Sequence, residues 1–292
     1  MPASLSKHAA GLRRNRPIGG EDRCKKRHPL NWLAASIRRI ANVRLFRKAW
    51  ATAPIDRQYG ISTSSSERKW WLRSGNPEVD RANVGYVGSQ PSIVRRALNT
   101  ISTIERAVFV DLGCGKGRTL AVASEYPFRE VIGIEIAARL VRIARKNAAT
   151  IARAHPYRPP IIVREGDATV LLGLDGNDLV LFLYNSFRRP LVTRLIGEIE
   201  DWAGRNQSAR LYLVYYNCVH FDLYDDSAAL ERFSAEQMPF NSEERATSPF
   251  DNIGEAVVIY RLRGRDPGPV RAHADRTVRV TIADYGAEVL SE

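Results

Sequence analysis

The sequence predicts an α/β fold: a doubly wound, mostly parallel seven-stranded sheet with helices on both faces, preceded by a helical N-terminal extension. From Arg106 onward, short apolar runs alternate with segments of helical periodicity, as in parallel strands joined by crossover helices. The apolar runs, such as Leu-Val-Leu-Phe-Leu at 179–183, are nearly continuous. Such runs are typical of strands that helices cover on both faces.

Positive charge is concentrated at the N-terminus. The 292 residues carry a formal charge of +12, and residues 1–50 contain 13 Lys and Arg against 2 Asp and Glu. Residues 1–28 lack apolar periodicity and are predicted to be a basic, disordered arm that contacts nucleic acid or acidic surfaces. Residues 29–83 are predicted to form a helical and loop extension, whose apolar side chains keep helical spacing at Leu30, Leu33, Ile37 and Ile40.

The remaining composition excludes several protein classes. Three scattered cysteines, Cys24, Cys114 and Cys218, argue against a disulfide framework and against a Cys-x-x-Cys metal site, so we expect no metal. No apolar run approaches the ~20 residues of a membrane-spanning helix, and no secretory signal is evident. A cytoplasmic protein is therefore expected.

The elements follow one another in a regular order from residue 84. A helix over 93–101 comes first, with Ser89 or Gln90 as its candidate N-cap. Strands are predicted at 107–112, 130–136, 161–164, 178–184, 210–216 and 255–262, with an added one at 277–282. Helices are predicted at 118–125, 137–154, 190–202 and 227–233. This pattern gives a domain over 84–263 and a tail over 264–292.

The first strand of this domain ends in an acid followed by a glycine-rich turn. Asp111 precedes Gly113, Cys114, Gly115 and Gly117, and a helix-favouring stretch follows. We call residues 113–117 the glycine loop. Such a loop lets a ligand approach bare backbone near the positive end of a helix. An acid two residues before the first glycine favours a ligand with positive charge over a pyrophosphate.

Polar side chains also end the next three strands. Glu135 closes the second strand, Asp167 follows the third, and Asn185 follows the fourth. Ligands of open α/β sheets bind at the carboxyl ends of the strands, so these residues are expected to share one site. Glu135 is placed to accept hydrogen bonds from ribose hydroxyls, and Asp167 to meet an adenine one strand further on.

These motifs resemble those of class I S-adenosylmethionine-dependent methyltransferases over residues 84–263. Asp-Leu-Gly-Cys-Gly-Lys-Gly-Arg matches the first motif, Gly-Ile-Glu the second and Gly-Asp-Ala the adenine-side motif. The resemblance implies S-adenosyl-L-methionine as cofactor. It also implies that Asp111 and the glycine loop line its methionine part, with Glu135 at the ribose and Asp167 at the adenine.

A narrower similarity is to a poorly characterised group of bacterial methyltransferases. Tyr86-Val-Gly-Ser-Gln-Pro-Ser matches their lead-in segment, which implies that Tyr86 covers the cofactor. Asn185-Ser-Phe matches their Asn-Pro-Phe loop except that Ser186 replaces the proline. Amino-methylating enzymes use a comparable loop to accept hydrogens from the target amine, so Asn185 is the candidate catalytic residue on the substrate side.

Three functions are compatible with a glycine loop of this kind. The first is an active methyltransferase acting on a protein amine or a small molecule. The second is a nucleic-acid-associated binding protein, or an RNA methyltransferase, that uses the basic arm. The third is a nicotinamide-dependent oxidoreductase, which is disfavoured because the third glycine comes one residue early and an acid precedes the turn.

Overall fold

The computed structural model describes residues 52–64, 86–101, 104–171, 173–247, 254–266, 268–271, 274–278 and 280. The predicted arm over 1–28 and the helix around Leu33 and Ile37 lie outside these residues. Of the predicted extension over 29–83, the structure describes 52–64, which pack into the core of the body through Ile55 and Tyr59.

Seven helices and seven strands are present among the described residues. In chain order they are α1 (Pro54–Tyr59), α2 (Pro91–Thr100), β1 (Val108–Leu112), α3 (Arg118–Ala123), β2 (Glu130–Glu135), α4 (Ala138–Ala154), β3 (Ile161–Glu165), β4 (Leu179–Tyr184), α5 (Arg189–Arg205), β5 (Leu211–Tyr216), α6 (Phe221–Asp225), β6 (Leu230–Pro239), α7 (Ser242–Thr247) and β7 (Gly254–Leu262). Among these described helices, none combines the length and the hydropathy of a membrane span.

The strands form one sheet in the order β3-β2-β1-β4-β5-β7-β6. Strands β1 to β5 pair in parallel, whereas β7 runs antiparallel to both β5 and β6. The predicted doubly wound, mostly parallel seven-stranded sheet is therefore confirmed. Because the chain order reverses between β1 and β4, a crevice is expected at the carboxyl ends of these two strands.

Apolar side chains cover both faces of the sheet, as the continuous apolar runs predict. On one face α4 buries the predicted stripe of Leu140, Ala144, Ala148 and Ile151. On the other face α5 buries a stripe that includes the fully enclosed Trp202. Every strand except the edge strand β3 therefore contributes side chains to two separate cores, which fixes its register.

Two predicted elements are wrong. Residues 227–233 were expected to be helical, yet β6 begins at Leu230 and the short α6 ends before this segment. The added strand expected at 277–282 is also incorrect for the described positions 277, 278 and 280, which lie in no strand. The strand that completes the seven-stranded sheet is instead β6, at the edge of the sheet. Its backbone pairs with β7 from Leu230 to Pro239.

The N-terminus of α2 is capped from elsewhere in the chain. Gln90 occupies the N-cap position without a side-chain cap, and the Ser89 hydroxyl bonds to Thr119 instead. The backbone amide of Ser92 donates to Glu244 Oε1 at 2.7 Å, and the Ser92 hydroxyl bonds to the same carboxylate. The predicted N-cap position at Gln90 is thus confirmed, but the side chain that bonds to the first turn is a carboxylate on α7.

Candidate functional site

The carboxyl ends of β1, β2 and β4 meet at one edge of the sheet. In the parallel ladders, Asp111 lies opposite both Gly133 of β2 and Phe182 of β4. Glu135 lies opposite Glu165 of β3, two residues before Asp167. The structure therefore brings the sequence-predicted residues of all four strands to the same edge.

Backbone hydrogen bonds connect the glycine loop to β2. The amides of Gly113 and Cys114 donate to the carbonyl oxygen of Ile134 at 2.9 and 3.0 Å. Gly113, Gly115 and Gly117 all have positive φ, at 88°, 55° and 82°, which side chains rarely adopt. The loop needs glycine for this conformation as well as for close approach.

Glu135 connects the glycine loop to the start of α4. Its two carboxylate oxygens accept hydrogen bonds from the amides of Gly115 and Ala137, each at 2.9 Å. Burial raises the pKa of Glu135, and these backbone amides act in the opposite direction. Each oxygen keeps a second lone pair, so the carboxylate can still accept bonds from a ligand.

Asp111 is the more strongly perturbed of the two acids. Burial and the nearby negative charge of Glu135 raise the pKa of Asp111 well above its usual range, while a hydrogen bond from Thr119 lowers it. The Thr119 hydroxyl is itself bonded to Ser89 at 2.7 Å. Burial also raises the pKa of the Cys114 thiol, which lies in the same loop. Two buried carboxylates that repel each other favour a cationic ligand.

Tyr86 lies directly on the glycine loop. A Cβ atom at Gly115 would be 2.3 Å from the Tyr86 ring, so this contact requires glycine. The Tyr86 hydroxyl donates to the carbonyl oxygen of Thr63 at 2.8 Å, and the Lys116 ammonium lies 5.0 Å from the ring centroid. The lead-in segment thus covers the loop from one side.

A buried polar network, which the sequence did not predict, holds this cover in place. Arg118, at the start of α3, donates to Thr63 Oγ1 at 2.8 Å and to the carbonyl of Gly88 at 3.2 Å. Asp56 accepts four hydrogen bonds from the amides and hydroxyls of Thr63 and Ser64. Thr63 and Ser64 lie seven and eight residues after Asp56, beyond the two-residue reach of an Asx turn, so no local sequence pattern indicated this network.

Asp167 is engaged by its own surroundings. One of its oxygens accepts bonds from the amide and hydroxyl of Thr169, at 2.9 and 2.7 Å. The other lies 2.9 Å from the Arg194 guanidinium. The half-buried side chain therefore stays at the predicted strand end, with a structural role in the turn after β3.

Asn185 sits in a strained backbone conformation where β4 ends. Its φ is +39°, in the left-handed region that asparagine tolerates better than most residues. Ser186 follows, and its hydroxyl donates to the carbonyl of Tyr184 at 3.3 Å. A Cβ at Gly113 would lie 2.8 Å from Ser186 Oγ, so this loop packs directly on the glycine loop.

The antiparallel strand β7 adds a carboxylate that sequence reasoning missed. Glu255 is only 3% exposed, and the Tyr184 hydroxyl donates to it at 3.2 Å. Tyr184 stacks on Tyr216 of β5 with ring centroids 4.3 Å apart. Because β7 runs antiparallel, its first residues lie at the edge where β4 and β5 end. In the sequence, the only indication of this carboxylate was an acid at the start of an apolar run.

Comparison with known proteins gives the following similarities. No protein-family model matches the chain. The chain is 27% identical over 129 residues to a tRNA (guanine-N(7)-)-methyltransferase of Clostridium perfringens. That match covers 42% of this chain, and the chain spans 56% of the length of that curated relative.

Two solved structures illustrate the structural similarities. TrmN from Thermus thermophilus is 13% identical with a TM-score of 0.43, covering 59% of this chain and 48% of its own. An RNA methyltransferase from Salinibacter ruber, in complex with S-adenosyl-L-homocysteine, is 18% identical with a TM-score of 0.40. That match covers 63% of this chain and 99% of its own.

Proposed function

We propose that this chain is a class I S-adenosylmethionine-dependent methyltransferase. The observation that carries the proposal is the pair of buried acids, Asp111 and Glu135, on either side of a glycine loop at the carboxyl edge of the sheet. When bound, the cofactor supplies a methyl group on an already activated carbon. The chain's own residues then have to bind, align and exclude water.

The residues at this edge fit such a cofactor. The raised pKa of Asp111 marks a carboxylate whose charge is poorly compensated, which suits a ligand carrying an amino group and a sulfonium. Glu135 retains acceptor capacity for the two hydroxyls of a ribose. A pyrophosphate on the glycine loop would be repelled by Asp111, which disfavours a nicotinamide dinucleotide. Tyr86 covers the loop and would limit the access of water.

We further propose that the acceptor presents a nitrogen nucleophile to Asn185. The side chain of Asn185 makes no hydrogen bond to any residue that the structure describes, and it follows directly on Tyr184. The hydrogen-bonded pair of Tyr184 and Glu255 supplies further polar groups next to this residue in the chain. An amide oxygen and a carboxylate both accept hydrogens, so they suit an N–H group better than an anionic acceptor.

An RNA acceptor is the second candidate. It is supported by the name of the curated relative, a tRNA methyltransferase, and by the basic composition of residues 1–28. The nitrogen nucleophile is common to both candidates, because a base nitrogen and a protein amine can each meet an asparagine oxygen.

Calorimetry with S-adenosylmethionine and its demethylated product tests the cofactor assignment. We expect micromolar-range binding by the wild type and loss of binding in Asp111→Ala and Glu135→Ala. Asp201→Ala, at an exposed position on α5, should bind like the wild type. No heat with the wild type, or equal heat from all variants, would reject the cofactor.

Transfer of labelled methyl groups into fractionated lysate tests the acceptor. Each fraction is assayed with and without nuclease, which separates protein, nucleic-acid and small-molecule products. Label that survives nuclease supports a protein amine or small molecule, whereas nuclease-sensitive label supports RNA. Asn185→Ala should lower the transfer while the cofactor affinity stays within about twofold.

A further inference from the structure

A second feature of the body lies away from the strand ends, on the outer surface of α4 and the loop that follows it. Residues 136–164 contain seven Lys and Arg and not one Asp or Glu. Excluding residues 1–50, the rest of the chain is almost neutral, with 31 Lys and Arg against 30 Asp and Glu. This segment is therefore strongly positive, whereas the remainder of residues 51–292 carries 24 Lys and Arg against 30 Asp and Glu.

The spacing of the cations places them in a straight line. Arg142, Lys146 and Arg153 fall within about 40° of one another around the helix axis, at 100° per residue. The first and last lie 11 residues apart, or about 16 Å at 1.5 Å per residue. All three are exposed, and the opposite face of α4 is buried in the core. We call these three residues the α4 basic stripe.

The stripe is not neutralised by neighbouring acids. Among the described residues no carboxylate lies within 4.0 Å of the charged groups of Arg142, Lys146 or Arg153. By contrast, arginines of α2, α5 and β6 such as Arg95, Arg194 and Arg232 are paired with acids. The stripe thus presents an uncompensated field to solvent.

An exposed aromatic ring stands at the C-terminal end of the stripe. Tyr157 is fully exposed, in a turn between Pro156 and Arg158. The turn is anchored on both sides to Tyr59 of α1. Arg158 donates to the Tyr59 hydroxyl at 3.2 Å, and His155 packs edge-on against the same ring. The backbone that carries Tyr157 is therefore fixed while its ring points away from the core.

We propose that the α4 basic stripe and Tyr157 form a docking surface for single-stranded nucleic acid. A line of cations matches a phosphate backbone, and an exposed ring on a fixed turn offers a stacking platform for an unpaired base. A membrane surface fits less well, because the apolar face of α4 is already buried in the core and cannot enter a bilayer. The surface goes beyond the proposed methyl transfer and does not depend on it.

The test measures binding of labelled 20-nucleotide oligouridylate and oligothymidylate to the full-length chain by fluorescence anisotropy over a salt series. The stripe variant is Arg142→Glu with Lys146→Glu. The matched control, Arg245→Glu with Arg276→Glu, makes the same charge change at two exposed positions elsewhere. Both proteins keep residues 1–50, so any contribution of that basic segment is common to both.

We expect the stripe variant to bind at least about tenfold more weakly than the control near 0.1 M salt. Its plot of log affinity against log salt should be shallower by about 1.4, since each phosphate contact to a single strand contributes about 0.7. Tyr157→Ala should weaken binding about fivefold or more without changing that slope. If the stripe variant weakens the binding of oligouridylate more than that of oligothymidylate, RNA is the preferred ligand of this surface.

Equal affinities of the stripe variant and the control would overturn the proposal and assign any binding to the N-terminal segment. So would binding of phosphatidylserine vesicles, but not of the oligonucleotides, that is lost in the stripe variant. Unchanged melting temperatures of the variants verify that each protein is folded. Because no cofactor is added, failure of this experiment is distinct from failure of the cofactor assignment.

Discussion

At the scale of single residues, the two site acids are buried at different electrostatic cost. Glu135 accepts bonds from two backbone amides, which offset part of the cost of burying its charge. Asp111 has the Thr119 hydroxyl and faces the repulsion of Glu135. An acid with a raised pKa in the folded state stabilises the fold at low pH and loses that contribution as the pH rises. Asp111 is therefore expected to weaken the unliganded protein at neutral pH.

Asp111→Asn should consequently raise the melting temperature of the unliganded protein at pH 7 to 8, while cofactor binding is lost. Each 1 kcal/mol gained corresponds to about 2–4 °C for a chain of this size. The gain should shrink as the pH falls and disappear below about 4, the ordinary pKa of aspartate, because the carboxyl group is then protonated in both states. Differential scanning calorimetry across this pH range measures it.

Asp201→Asn, at an exposed position, is the matched control and should shift the melting temperature by less than about 1 °C at any pH. A lower melting temperature of Asp111→Asn at pH 8 would show that the aspartate stabilises the fold, contrary to this account.

Glu255 is expected to act on the acceptor side. Glu255→Gln keeps the size and one acceptor for Tyr184 but removes the charge. Loss of a charged hydrogen bond costs about 1.5–3 kcal/mol, so methyl transfer into lysate should fall about 10- to 100-fold. The cofactor affinity, measured by calorimetry, should stay within about twofold. A parallel loss of cofactor affinity would instead assign Glu255 a structural role.

At the scale of elements, the site depends on close contact between the glycine loop and the lead-in segment. The Tyr86 ring occupies the space that a side chain at Gly115 would need. Arg118 and Asp56 keep residues 61–64 and 86–89 in position through buried hydrogen bonds. The lead-in segment is therefore part of the folded body, and its contacts should limit which substitutions the glycine loop tolerates.

Gly115→Ala should destabilise the protein through both its positive φ and a collision with Tyr86. Gly176 has a φ of +77° and no atom within 4 Å of a built Cβ, so Gly176→Ala isolates the backbone cost, about 1–2 kcal/mol. Gly115→Ala should cost at least about 1 kcal/mol more in urea denaturation. In a protein that already carries Tyr86→Ala, the added cost of Gly115→Ala should lose much of that excess. An unchanged excess would mean that the collision with the Tyr86 ring is not its cause.

The cap of α2 predicts a second effect at this scale. Glu244→Ala removes two bonds to Ser92 and exposes the first turn of α2, so we expect a loss of about 1–3 kcal/mol in the free energy of unfolding. Glu105→Ala, in an exposed turn, should change it by less than about 0.5 kcal/mol. Urea denaturation of both variants measures the difference; equal values would show that α7 does not support α2.

At the scale of the whole molecule, the sheet order gathers residues that are far apart in the chain. Asp111, Glu135 and Asn185 come from three parallel strands, and Glu255 of the antiparallel β7 accepts a bond from Tyr184, the residue before Asn185. The charge of the body is separated as well, with the α4 basic stripe on a surface apart from the acid-bearing strand ends. Cofactor binding should therefore not require the basic N-terminal residues.

Deletion of residues 1–28 should leave the affinity for the demethylated cofactor unchanged. At a ligand concentration of 100 times Kd, both the full chain and the truncated chain should gain about 2.7 kcal/mol of stability. Thermal shift assays measure this gain in the two proteins side by side. A collapse of ligand stabilisation in the truncated chain would show that these residues belong to the fold.

Much of the fold followed from local patterns in the sequence. The apolar runs predicted β1 to β5, and helical spacing of apolar residues predicted the buried face of α4. Both predictions work because apolar residues occupy the positions that are buried in the folded chain. Residues 227–233 were wrongly predicted as helix, since Ala, Leu, Glu and Arg favour helix locally. In the folded chain, pairing of β6 with β7 outweighs that preference.

The sequence by itself determined the strand-end acids, the glycine loop and hence the kind of cofactor proposed, because neighbouring residues in one turn carry that information. The tertiary structure alone decided which distant groups join them. Glu244 meets Ser92 across 152 positions, and Tyr184 meets Glu255 across 71. Such contacts depend on strand order and on the reversed direction of β7, and no local spacing encodes them. The physical reason is that strand pairing, which sets those distances, is a property of the whole sheet.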